Sequence, residues 1–153
     1  MCHHKLISDG DVRKQLLYGV QIEDPKVLIP WGICVNDLVS MFQYYNLSQV
    51  TEEYYYVENI SFIGEKCNMG IYFKQTLYKI AFWRDDYQGR DDYIKSFNNF
   101  QSALEKVFGQ PTEQKQVLID FENCVWYIGE NITIQHFVLD RFGLEENLYI
   151  EHL

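Results

Sequence analysis

The chain has 153 residues, 47% hydrophobic and 23% charged, and a net charge of −9. That length suits one folded domain, residues 1–153, whose core is large enough to need no disulfide staple, and the hydrophobic content excludes a disordered chain. The acidity excludes a direct nucleic-acid binder, because a phosphate backbone is neutralised by a basic surface.

In chain order, residues 1–11 read as a loose polar segment. A short helix is expected over Val12 to Tyr18. EDPKVLIPWGI follows, where Pro25 and Pro30 forbid a helix, so it reads as an extended linker pinned by Trp31. Asn36 or Asp37 then caps a helix from Asp37 to Tyr45, with Leu38, Met41, Phe42 and Tyr45 along one face. EYYYVENISFIG has strand composition, and its pleat puts Tyr54 and Tyr56 on one face and Tyr55 on the other. EKCNMG reads as a turn. GIYFK and TLYKIAFW are two further strands, or one long strand kinked near Gln75.

The clearest helix runs from Asp92 to Phe108. Its stripe is Ile94, Phe97, Gln101, Leu104, Val107 and Phe108, and Gly109 and Pro111 stop it. Three strands follow, CVWYIG, NITIQHFVL and ENLYIEHL, the first two joined by a hairpin at Gly129-Glu130-Asn131. The order is helix, three strands, helix, three strands, compatible with a duplicated helix-plus-three-strands unit. The expected fold class is α+β, a two-layer antiparallel sheet with helices on one face.

The most polar feature is RDDYQGRDDY, in which RDDY occurs twice and four aspartates fall within eight residues. A calcium loop spaces its acids singly and places its glycine otherwise, so no metal is expected here. A glycosidase pair needs two carboxylates on rigid elements, which a glycine-containing loop does not supply. Asp91 or Asp92 suits the N-cap of the following helix, and the remaining acids then form a solvated connection or a docking loop for a basic partner. A second acidic feature lies near the end: from Val117 to Leu153 there are seven acids and a single base, Arg141. Glu122, Glu145 and Glu146 are its candidate docking residues.

Elsewhere the sequence is plain. Cys2, Cys34, Cys67 and Cys124 have no metal-ligand spacing and read as reduced thiols. MCHH at the start offers metal donors without fixed geometry. His136 and Cys124 raise the idea of a base and a nucleophile, but no spacing supports it, and a packed strand histidine is the expectation. Neither a phosphate-binding glycine loop nor a zinc-hydrolase motif is present, so no cofactor is expected. MCHHKLISDGDV lacks the apolar core of a signal peptide, and no apolar run is long enough to span a bilayer. The expected location is the cytoplasm.

LEKVFGQPT, a Trp-bearing strand and the hairpin CVWYIGENITI together resemble the second half of several small acidic bacterial immunity proteins, over roughly the last third of the chain. The resemblance implies a non-enzymatic cytoplasmic protein that occludes a toxin domain, with nuclease toxins offering the basic active site an acidic surface complements. On charge density, Asp85, Asp86, Tyr87, Asp91 and Asp92 are the first docking candidates, followed by Glu122, Glu145 and Glu146. The alternatives are an acidic secretion chaperone for an effector and an enzyme with an unrecognised site. Oligomeric state is not readable from the chain.

Overall fold

The computed structural model describes residues 9–153. In chain order its elements are α1 (Asp9–Gln15), β1 (Gly19–Ile22), β2 (Val27–Pro30), α2 (Val35–Met41), β3 (Leu47–Thr51), β4 (Tyr54–Phe62), β5 (Glu65–Lys74), β6 (Thr76–Trp83), α3 (Arg90–Phe108), β7 (Glu113–Leu118), β8 (Phe121–Ile128), β9 (Ile132–Asp140) and β10 (Leu144–His152). The hairpin β1-β2 is a separate two-stranded sheet whose Val20, Ile22 and Ile29 join the main core. The other eight strands form one antiparallel sheet in the order β3-β4-β5-β6-β10-β9-β8-β7. The fold is α+β.

Two meanders of four strands, each preceded by a helix, meet at the centre, where β6 pairs with β10 through Phe82 opposite Leu148 and Ile80 opposite Ile150. The unit is therefore a helix and four strands, not a helix and three. The two added strands, β3 (LSQVT) and β7 (EQKQVL), are the sheet edges. Their side chains are mostly exposed, so no apolar alternation marks them in the sequence.

The pleat sorts the core. Register places Val57, Met69, Phe82, Leu148, His136 and Cys124 in one cross-strand row, and Tyr55, Ile71, Ile80, Ile150, Ile134 and Trp126 in the next. All twelve are buried. Phe100, Leu104 and Phe108 of α3 belong to the same apolar cluster. Each large side chain of this kind contributes roughly 1.5–3 kcal/mol by leaving water. Tyr54 and Tyr56 lie on the opposite face from Tyr55, as the alternation predicts, and Tyr54 stacks on Tyr72 at 4.6 Å.

Several local expectations are corrected. Residues 9–11 belong to α1, so the loose segment does not reach residue 11, and the expected helix over Val12 to Tyr18 lies earlier. MCHH lies outside the described residues. The expected linker contains the β1-β2 hairpin, although Trp31 does pin it: its indole N–H donates to the Leu16 carbonyl at 2.8 Å. α2 starts at Val35 after Cys34 and stops before Phe42, which turns into the core. EKCNMG is not a turn but the start of β5. The reversal sits one step earlier, at Ile63 and Gly64, both with positive φ. Gln75, at φ 65°, separates β5 from β6 as two strands.

α3 begins at Arg90 with Gly89 as its N-cap residue, so neither Asp91 nor Asp92 is the cap. Both sit in the first turn, where a negative charge suits the helix dipole. Asp92 also reaches back to accept the backbone N–H of Gln88, the residue before the N-cap, at 2.7 Å. At the other end Gly109 adopts φ 81°, and Arg13 and the Trp126 indole donate to the carbonyls of Phe108 and Gly109.

Candidate functional site

The segment between β6 and α3 is built two residues in, two residues out. Arg84 and Tyr87 turn toward the protein, while Asp85 and Asp86 are exposed. Arg84 is held on three sides: its Nε donates to the Lys66 carbonyl at 2.9 Å, Nη2 to Glu65 at 2.5 Å and Nη1 to the Ser96 hydroxyl at 2.6 Å. Its guanidinium also lies over the Phe100 ring. Tyr87 stacks flat on Tyr93 at 3.8 Å and donates its hydroxyl to Glu146 Oε1 at 2.6 Å. The second RDDY is fastened differently: Arg90 donates to the Ile119 carbonyl and pairs with Asp120.

Beneath the segment lies a buried polar network. Glu146 and His136 are 2% and 0% exposed at their side chains and meet at 2.8 Å, His136 Nε2 to Glu146 Oε2. Ser96 donates to the other carboxylate oxygen at 2.5 Å, beside Tyr87. The second imidazole nitrogen faces Gln101 at 2.9 Å, and Phe97 stacks on the ring at 4.1 Å. Burial pushes the His136 pKa below its ordinary value, with Glu146 pulling the other way. Burial and the adjacent Glu146 carboxylate push the Tyr87 phenol well above its ordinary value, so it remains a donor. Every Glu146 oxygen is met by a protein group, as a buried carboxylate requires.

This network does not have the form of a hydrolytic triad. Ser96 bonds the carboxylate and not the imidazole, and both imidazole nitrogens are engaged. Cys124 lies opposite His136 on the neighbouring strand, yet burial pushes its thiol up to about 11, away from a thiolate nucleophile. Among the described residues, no group of three His, Cys, Asp or Glu side chains is placed to hold a metal.

Strand register collects the acidic candidates at one end of the sheet. β6 ends at Trp83 and β10 begins at Leu144, with Leu148 opposite Phe82; β9 ends at Asp140, opposite Leu144. The β7-β8 turn falls at the same end, since Cys124 pairs with His136 and Phe121 precedes it. Asp85, Asp86, Asp91, Asp120, Asp140 and Glu145 are all exposed there. From β6 to β7 this end is four strand spacings wide, roughly 20 Å. Ile119 and Phe142, at 77% and 104% exposure, stand on its two hairpin turns.

The eight docking candidates separate by environment. Asp85, Asp86 and Asp91 are exposed, with no ion pair among the described residues. Glu145 is exposed and pairs with Arg141. Tyr87 and Asp92 are half-buried and committed to Glu146 and Gln88, so they hold the segment in shape and are not free anchors. Glu122 is half-buried and accepts from Gln114 on β7. Glu146 is buried, so it is removed from the docking set. Sequence reasoning missed Arg84, Ser96 and Gln101 as network members, and Ile119 and Phe142 as exposed apolar tips. Helical spacing puts Phe97, Gln101 and Leu104 on one stripe, and the polar member there was the available signal. No protein-family model, curated protein or solved structure matches this chain.

Proposed function

We propose that the protein is a cytoplasmic protein-binding module of the immunity type, which neutralises a bacterial toxin by covering a basic active site with the acidic end of its sheet. The observation that carries this reading is the anchored segment Arg84–Tyr87. Its aspartates point outward while its arginine and tyrosine are fixed from below, so the charges are held in place before any partner arrives. A preformed acidic surface loses little conformational entropy on binding and speeds capture of a cationic partner. Asp91, Asp120, Asp140 and Glu145 extend the same sign of charge across the end, and Ile119 and Phe142 supply apolar area within it. Such a surface suits a nuclease-type toxin, whose active site is basic because it binds phosphate. The same reading takes the fold as two layers, with the helices covering the face that carries the buried rows.

The test is association with the toxin-like protein encoded beside its gene, followed by stopped flow. Reversing Asp85 and Asp86 to lysine should slow association about tenfold at low salt and much less at high salt. Dissociation should change little. An association rate indifferent to both substitutions and to salt would remove this surface from the interface. Growth rescue by coexpression separates neutralisation from mere binding.

A further inference from the structure

A hollow lies at the open edge of β4, two strands across the sheet from the segment that follows β6. β3 covers that edge only as far as Val57, opposite Leu47. The edge is next covered at Ser61, which bridges to Asp24, with Glu23 N–H donating to the Ser61 carbonyl and Ser61 N–H to the Asp24 carbonyl. Between them β4 bulges at Glu58 and Asn59, and Asn59 takes φ 56°. The gap opens into a hollow of about 360 Å³. Three tyrosines line it, Tyr44, Tyr45 and Tyr56, together with the carboxylates Asp24 and Glu58 and the amide of Asn46. No Lys, Arg or His lines it, and neither carboxylate has an ion pair among the described residues.

We propose that this hollow is a binding site for a guanidinium group. Aromatic faces attract an organic cation through their quadrupole, and carboxylates accept its N–H groups. A flat guanidinium satisfies both at once, stacking on a ring while its edge meets a carboxylate. A hard divalent metal fits less well, because it takes six or more oxygen ligands and gains nothing from three phenol rings. The site draws on Asp24, Tyr44, Tyr45 and Glu58, none of which belongs to the acidic end, so it stands independently of the toxin-binding reading.

Methylguanidinium chloride is the probe, titrated into the isotope-labelled protein and followed by amide NMR, with sodium chloride at equal ionic strength as the control. Saturable shifts confined to the amides of residues 24, 44–48 and 56–60 are expected, and Glu58→Gln should weaken binding about fivefold. Tyr44→Ala, a change at an exposed position that leaves the core intact, should weaken it similarly. Blocked arginine amide and free arginine then distinguish a protein side chain from the free amino acid as the natural source. Shifts that track salt alone, that gather at residues 84–91, or that survive both substitutions unchanged would overturn the assignment.

Discussion

At the residue scale the most consequential group is Glu146, a carboxylate in the core with three protein partners. An amide in its place keeps one oxygen for Ser96 and Tyr87 but turns an N–H group toward His136, and a buried hydrogen-bond mismatch of this kind costs about 1–3 kcal/mol. Glu146→Gln should therefore lower stability by about 2 kcal/mol, and Tyr87→Phe by about 1 kcal/mol, read from urea denaturation midpoints. His136 sets a pH dependence. Its folded pKa is held below the ordinary value of about 6.5, so on acidification the unfolded chain takes the proton first. Stability is full above about pH 6.5 and declines as pH falls below it; in His136→Gln the decline over that window should be shallower. A sequence reader sees glutamate in ENLYIEHL and assigns it to solvent, since the residue type is almost never fully buried. Only the packing of β10 against β9, α3 and the segment before α3 supplies the donors that make Glu146 an exception.

At the element scale, legibility followed apolar content. α3 and strands β4, β6, β8, β9 and β10 bury apolar side chains along much of their length, and their composition marks them in the sequence. β3 and β7 bury almost nothing and were invisible. β5 was half lost, because Asn68 and Gly70 lend its first residues the composition of a turn. Gly70 is there for space: a Cβ would come within 2.9 Å of the Tyr54 ring. Turn position was hard for a related reason. Ile63 and Gln75 take positive φ although their residue types do not favour it. Gln75 is exposed and carries that cost with no packing in return, so Gln75→Gly should raise stability by about 0.5–1 kcal/mol in thermal or urea unfolding.

At the scale of the whole molecule, the two meanders share one seam, β6 against β10, and the network beneath Tyr87 ties the first meander, α3 and the second together. Opening should proceed inward from the edges. Amide hydrogen exchange is expected to be slowest in β6, β9 and β10 and fastest in β3 and β7. Slow exchange at β7 would instead mark that edge as covered in solution. The acidic end emerges only here, because Asp85, Asp120 and the close pair Asp140 and Glu145 lie in three separate stretches of the chain and meet through register. The sequence showed two acidic stretches but not that they share one end of the sheet.

The inward and outward division of Arg84–Tyr87 carries an evolutionary consequence. The Asp85 and Asp86 carboxylates are exposed and make no hydrogen bond or ion pair to the network that holds their neighbours among the described residues, so their identity bears little on the cost of keeping the chain folded. On the proposed toxin-binding reading, a lineage meeting a changed toxin can exchange these two positions freely while Arg84 and Tyr87 stay fixed. Randomising the four codons and selecting for expression alone would return wide variety in the middle pair and almost none in the outer pair.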